Sequence, residues 1–283
     1  MKWGILAKTM GLLAVAFMAV TANAQAKKPL KVELEEGNFV SLRGEVSSDS
    51  VSEVIAQIST LKAKHLVLYI SSPGGSIAAG ARLISAMKGS GKTFTCVADF
   101  AASMAFVITQ SDPCQERIVT ESSVLMQHQA AYGIEGKDAN AKSMMGFIQG
   151  MLLALDTQQA GRVGLTLEQF RAKTHDDWWT WGMNNITEKT ADREGLVSCD
   201  GALTKKHIFT VVDTVLFGKF KLEFNACPMI GQMYSAKPVG AYLVLSPAAQ
   251  VECDKILAKI IASFDPRSLI GKGNSNEAFL MTP

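Results

Sequence analysis

The residues best suited to chemistry in this 283-residue chain are a serine, a glycine pair and the amide beside the serine. Ser103 begins a short predicted helix, whose N-terminus favours negative charge nearby. Gly74 and Gly75 follow a buried apolar run and leave a backbone N–H unshielded by any side chain. The amide of Met104 would add a second donor. A hydroxyl with two such donors indicates acyl transfer through a tetrahedral intermediate.

Acyl transfer by a serine also needs a base, and the chain has only four histidines. His65 begins a predicted strand and His207 follows two lysines, which favours structural or solvated roles. His175 adjoins two aspartates in a polar loop, a region suited to orienting another group. His128 ends an apolar run, where the C-terminal edge of a strand would present it to a site. His128 is therefore the best candidate for the base.

Alternating strands and helices are predicted to position these residues. Predicted strands cover 39–46, 65–70, 93–100 and 124–128, and predicted helices cover 76–88, 103–109, 137–161, 167–172 and 186–194. A capping box at Ser50–Glu53 marks another helix start, and Gly195 suits the C-cap of the last one. This alternation predicts right-handed βαβ units, and so an α/β fold.

Five segments in order resemble the Clp protease proteolytic subunit family of the crotonase-like superfamily. They are Tyr69–Ile77, Ala101–Ala105, Met126–Gln129, Leu167–Phe170 and Ala191–Val197. The similarity covers about residues 37–200, and the spacings of 25 residues from Ser103 to His128 and 49 from His128 to Asp177 also match that family. The resemblance implies a ClpP-like core of ββα repeats with a long handle helix.

The resemblance also implies roles for individual residues. These are Ser103 as nucleophile, His128 as general base, Asp177 as its orienting acid, and the Gly75 and Met104 amides as the oxyanion hole. Asp176 remains an alternative to Asp177, because a shift of one residue would exchange them. The helix 137–161 would pair subunits into a homo-oligomer, although a core helix is the simpler interpretation of its apolar face. The segment 130–136 would line the substrate channel.

The N-terminus predicts export. Lys2 and Lys8 precede an 11-residue apolar run, Met10–Val20, which is followed by the small-x-small sequence Ala22–Ala24. That run is too short to cross the roughly 30 Å of a bilayer core. We therefore expect a signal peptide over 1–24 and a periplasmic protein, with an uncleaved anchor as the alternative.

The five cysteines suit an oxidising compartment. On the implied fold, Cys96 and Cys114 flank the nucleophile helix and are expected to form a disulfide. Cys199, Cys227 and Cys253 could supply a second bridge, leaving one thiol over. We expect a leader over 25–36, a peptidase domain over 37–200, and an appended α+β module of unknown role over 201–283.

Composition excludes several other classes. The 28 basic and 26 acidic residues nearly balance, which leaves no nucleic-acid footprint. Cysteine and histidine spacing predicts no metal site, and no cofactor is expected. Gly89–Lys92 is too short for a phosphate-binding loop, and an exported protein would lack ATP, so no ATP-driven unfoldase partner is expected.

These observations predict an ATP-independent exported serine peptidase that cleaves short or unfolded peptides. Two alternatives remain open. One is a ClpP-like envelope scaffold or peptide-binding protein in which the triad is idle. The other is an acyl-CoA hydratase or isomerase, which would use the paired amides but would leave Ser103 and His128 without a role.

Overall fold

The computed structural model describes residues 29–214, 218–230 and 233–238 of the chain. The strands are β1 (Leu30–Leu34), β2 (Phe39–Arg43), β3 (His65–Ser72), β4 (Thr93–Ala102), β5 (Cys114–Gln127), β6 (Trp178–Trp181), β7 (Arg193–Cys199), β8 (His207–Thr214), β9 (Gly218–Asn225) and β10 (Met233–Pro238). The helices are α1 (Ser48–Thr60), α2 (Ile77–Gly89), α3 (Met104–Thr109), α4 (Asp138–Val163), α5 (Leu167–Lys173), α6 (Asn184–Thr187) and α7 (Gly201–Lys205).

The main sheet runs in the order β1-β7-β5-β4-β3-β2, and all of these neighbours are parallel. Strand β6 pairs antiparallel with the C-terminal half of β5. A second, antiparallel sheet of order β10-β9-β8 follows in the described part of the C-terminal region. The predicted α/β fold is confirmed, with a mostly parallel central sheet and helices packed against it.

The two faces of the main sheet are covered differently. Helices α1 to α3 pack against one face, where alternate strand residues such as Leu68, Ile70 and Phe94 are fully buried. The opposite face packs under Leu203 and Cys227 from the C-terminal region. Because β3 and most of β4 are buried, their sequences are largely apolar, whereas β5 carries exposed polar residues such as Gln115 and Glu121.

Three features of the chain differ from what the sequence predicts. The capping box that starts α1 joins Ser47 and Ser50, three residues before the predicted one. The predicted helix over 186–194 is wrong, because α6 ends at Thr187 and β7 begins at Arg193. Lys189 has a φ of 57°, which a continuing helix does not allow. In addition, β1 falls within residues 25–36, the expected leader, and pairs with β7.

Four cysteines are paired. The sulfurs of Cys96 and Cys114 lie 1.93 Å apart, and those of Cys199 and Cys227 lie 2.08 Å apart. Cys253 and the predicted signal peptide over 1–24 lie outside the described residues. No helix in the described part of the chain is long and apolar enough to cross a membrane.

Candidate active site

Ser103 occupies a tight turn between β4 and α3. Its φ of 53° and ψ of −120° lie outside the regions that side-chain-bearing residues favour. Two backbone hydrogen bonds hold this conformation, from Ser103 N to the Met126 carbonyl at 2.9 Å and from Val107 N to the Ser103 carbonyl at 3.1 Å. The helix α3 that follows is buried along its whole length. The turn therefore fixes the hydroxyl at the C-terminal edge of the sheet.

The glycine turn lies directly against Ser103. A Cβ atom added to Gly74 would come within 2.6 Å of the Ala102 carbonyl oxygen and 2.9 Å of the Met104 nitrogen. Gly75 has a φ of 141°, and a parallel bridge to Val46 holds it in place. Within the described residues, neither the Gly75 N–H nor the Met104 N–H has a hydrogen-bond partner. Two backbone donors near Ser103 are therefore available to an oxyanion.

His128 directly follows β5 and reaches Ser103. Its Nε2 atom lies 2.8 Å from the Ser103 Oγ atom, which is hydrogen-bond distance for a serine and its base. The His128 side chain is 35% exposed, so the pair opens to solvent. A proton on Nδ1 would leave Nε2 free to accept the Ser103 hydrogen.

Asp177 lies on the far side of the His128 ring. The distance from Asp177 Oδ1 to His128 Nδ1 is 3.9 Å, longer than a hydrogen bond, and the Asp177 side chain is 56% exposed. Asp176, the alternative acid, is 97% exposed and lies 3.3 Å from His175 instead. The geometry therefore favours Asp177 over Asp176 as the neighbour of His128.

A family model described as Clp protease matches residues 23–198, more than half of the chain. The chain belongs to the Clp protease family.

Curated relatives agree with this membership. The chain is 28% identical over 168 residues to the ATP-dependent Clp protease proteolytic subunit of Streptococcus gordonii, covering 56% of this chain and 85% of the relative. It is 31% identical over 161 residues to the ATP-dependent Clp protease proteolytic subunit 2 of Tropheryma whipplei, covering 55% and 89%. It is 28% identical over 158 residues to the corresponding subunit 2 of Bifidobacterium longum, covering 54% and 76%. At the level of the family, this supports a serine peptidase.

Trp178 supports the site of this Clp protease family member, and the sequence reasoning missed it. Its ring centroid lies 6.1 Å from that of Phe106 in α3 and 6.3 Å from that of Phe170 in α5. The Lys173 ammonium lies 4.7 Å above the same ring. Trp178 directly follows Asp177, and its packing therefore connects Asp177 to α3, the helix that begins next to Ser103. The sequence signal that could have found Trp178 was an aromatic residue directly after a candidate acid.

A second carboxylate in this Clp family domain, that of Asp192, is held far more firmly than that of Asp177. Asp192 Oδ1 lies 2.5 Å from Arg117 Nη2, and Asp192 Oδ2 accepts hydrogen bonds from Arg117 Nε at 3.0 Å and from the Arg117 backbone N–H at 2.9 Å. Burial acts to raise the pKa of Asp192, but hydrogen bonds from Arg117 and its charge outweigh burial, so the pKa is lowered. The Arg117–Asp192 pair joins β5 to the start of β7 and so stabilises the fold.

The other histidines lie away from the serine. The ring of His65 contacts the hydroxyls of Thr93 and Thr95, and His207 pairs with Glu223. The predicted channel segment, residues 130–136, forms a largely exposed connection between β5 and α4. No group of three or more metal-ligating side chains occurs among the described residues.

Proposed function

We propose that this protein is an ATP-independent, exported serine peptidase that hydrolyses short or unfolded peptides. The observation that carries the proposal is the 2.8 Å contact between His128 Nε2 and Ser103 Oγ, next to two backbone amides with no partner in the described residues. A serine at that distance from a histidine is arranged for deprotonation. Family membership supports the same reaction class.

In the proposed mechanism, His128 takes the Ser103 proton as Oγ attacks the peptide carbonyl carbon. The Gly75 and Met104 amides hold the resulting oxyanion, each contributing roughly 3 kcal/mol by analogy with measured oxyanion holes. The protonated His128 then gives its proton to the leaving amine, and an acyl-enzyme forms on Ser103. Water, deprotonated by His128, attacks the ester and releases the acid. Asp177 stabilises the imidazolium that forms in both halves.

The expected domain organisation limits the substrates. Residues 37–200 would form the peptidase domain and 201–283 an appended module. The sequence contains no nucleotide-binding loop to drive unfolding. Substrates would therefore enter already extended.

We also propose that subunits associate through α4, because Met144, Met145, Phe147 and Leu153 are exposed on this helix.

Export is supported by the cysteines and by the N-terminal sequence. The Cys96–Cys114 and Cys199–Cys227 pairs are typical of proteins that mature in an oxidising compartment. Residues 1–24 have the charged start, short apolar run and small-x-small end of a signal peptide. Cell fractionation of the full chain tests this proposal, and recovery of a processed protein from the periplasm is the expected result.

A fluorescent fluorophosphonate tests the reactive serine, because it labels only an activated hydroxyl. The mature protein should be labelled and Ser103→Ala should not, while both keep the same Tm. Ser59→Ala is the matched control, since the Ser59 hydroxyl donates to the Ala56 carbonyl on the exposed face of α1. Labelling that persists in Ser103→Ala would overturn the assignment. Folded, concentrated protein that resists the probe would favour the scaffold alternative.

A further inference from the structure

Two buried glutamines connect the long helix α4 to the strand that carries His128. Gln127, the last residue of β5, is 5% exposed, and Gln159, in the last part of α4, is 2% exposed. The Gln127 Nε2 amide donates a hydrogen bond to the Gln159 Oε1 oxygen. The neighbouring positions Leu125 and Ala160 are apolar and belong to the core. Polar side chains in such surroundings are costly unless every polar atom is paired.

Every polar atom of this pair has a partner. Gln127 Oε1 accepts a hydrogen bond from the backbone N–H of His128 at 3.1 Å. Gln159 Nε2 donates to the Leu155 carbonyl at 3.2 Å, one turn earlier in α4. The bonds therefore form a chain from the α4 backbone, through Gln159 and Gln127, to the backbone of His128. Only a side chain with both a donor and an acceptor can occupy the middle of such a chain.

A simple anchor of α4 to the sheet would explain the contact between the two glutamines but not the third bond. The N–H of His128 lies just beyond the end of β5, where strand pairing no longer supplies an acceptor. Gln127 Oε1 supplies one, and so restricts the backbone from which the His128 ring projects toward Ser103. A buried, fully satisfied network of this kind rigidifies the groups that it joins.

We infer that Gln127 and Gln159 are positioning residues for His128, and that they link the base to α4. The inference rests on the proposed function, in which His128 is the base. Both side chains are neutral, so they act on the orientation of His128 rather than through a charge. Displacement of α4 at Gln159 would thereby reach the His128–Ser103 pair.

The kinetic test replaces each glutamine by methionine, which keeps the length and removes the amide. Gln127→Met should lower the fluorophosphonate labelling rate about tenfold and Gln159→Met about fivefold. The double variant should be no slower than Gln127→Met, because the two residues act in series. Gln158→Met is the matched control: Gln158 contacts Asp112 at 3.4 Å instead, and its variant should label within twofold of wild type. Wild-type rates in both single variants would overturn the inference.

A second readout does not depend on the chemistry. Selective ¹⁵N-histidine labelling gives one backbone amide signal for each of the four histidines, and the His128 signal is assigned by its loss in His128→Ala. Hydrogen exchange at the His128 amide should quicken at least tenfold in Gln127→Met and severalfold in Gln159→Met, with no change in Gln158→Met. Unchanged exchange in both variants would overturn the inference even if the wild type is active. If the fluorophosphonate does not react with the wild type but the His128 amide exchanges faster in the two glutamine variants, the proposed function alone is refuted.

Discussion

The two ends of the candidate site are built in different ways. At the serine end, Ser103 lies between buried residues of β4 and α3, and backbone hydrogen bonds fix its unusual conformation. At the acid end, Asp177 is 56% exposed and stands 3.9 Å from the ring that it would orient. The fold itself therefore brings together the proposed nucleophile and the proposed base. The acid is placed only indirectly, through the packing of Trp178 against α3.

The contrast indicates where the site tolerates change. Ser103 is enclosed by backbone at the glycine turn, and the Cys96–Cys114 disulfide joins the strand before α3 to the strand after it. Even a small added side-chain atom in this region would clash with backbone atoms that cannot move away. Around Asp177, the surroundings are largely solvent, in which electrostatic effects are weak. We expect mutations at the serine end to have much larger effects than those at the acid end.

The largest effect is expected from Gly74→Ala. The new methyl group would lie 2.6 Å from the Ala102 carbonyl oxygen and 2.7 Å from Ser103 Cβ, at a φ of 95°. The strained backbone alone costs roughly 1–3 kcal/mol, and the clash with backbone atoms adds to it. Peptidase activity should fall at least ~100-fold, as measured by turnover of a fluorogenic peptide, and the Tm should also fall.

Gly89→Ala is the control for that change. Gly89 ends α2 in open space, with nothing within 4 Å of an added Cβ, so its variant should match or slightly exceed the stability of wild type. Activity within tenfold of wild type in Gly74→Ala would mean that the glycine turn is not held against Ser103.

Removal of the Cys96–Cys114 disulfide is expected to have the next largest effect. The bond spans 18 residues that include Ser103 and all of α3. Replacing both cysteines by alanine should lower the free energy of unfolding by about 3 kcal/mol, by the loop-entropy argument. It should also slow fluorophosphonate labelling, whereas loss of Cys199–Cys227 should lower stability without slowing it. Equal labelling in the two double variants would show that the first disulfide does not position the serine.

Asp192 shows what a firmly held carboxylate contributes. Asp192→Asn would leave the Arg117 side chain, 5% exposed, without its charge partner. For fully buried pairs this costs about 3–5 kcal/mol, and the partial exposure of Asp192 reduces our expectation to about 2 kcal/mol at pH 7. Urea unfolding of both proteins measures the difference.

The pH dependence follows from the lowered pKa of Asp192. Burial opposes the ionised form, but Arg117 more than offsets it. The stabilisation is therefore complete above the unfolded pKa of about 3.9 and is lost as the pH falls through the lower folded value. The stability gap between wild type and Asp192→Asn should narrow below about pH 4. A gap that is constant with pH would mean that Asp192 does not act through its charge.

The sequence was sufficient for features set by local pattern. Buried apolar runs ending in glycine, serine or histidine predicted which strand ends would meet, because parallel strands bring their carboxyl ends to one edge of the sheet. It failed where distant contacts override local preference. Residues 186–194 have helical spacing, yet Arg117 binds Asp192 from 75 positions away and extends that segment. Gly195 serves close packing instead of a cap, since an added Cβ would lie 2.4 Å from Ile118.

The same limit applies to the candidate site. The positions of Ser103, His128 and the glycine turn follow from strand ends and turn residues. The contact between Gln127 and Gln159 spans 32 residues and joins a strand to a helix, so no periodicity predicts it. A single glutamine at the end of an apolar strand was the only signal.

The smallest effect is expected at the acid end, from Asp177→Asn. Two unit charges about 4 Å apart interact by roughly 1 kcal/mol in water and about 4 kcal/mol in a partly shielded site. With 56% exposure and no direct hydrogen bond, the lower figure applies, so activity should fall only about fivefold. A buried, hydrogen-bonded triad aspartate is worth about 10⁴-fold by comparison.

Salt and a neighbouring carboxylate sharpen this last test. The effect of Asp177→Asn should shrink in 0.5 M salt, since exposed charges are screened over a few ångströms at that strength. Asp176→Asn should change the rate less than twofold, because Asp176 is 97% exposed and faces His175. A loss above about 1,000-fold in Asp177→Asn would mean that Asp177 closes onto His128 when substrate or a second subunit binds. In that case, both ends of the site would be tightly built in the working enzyme, and the contrast would belong to the resting subunit only.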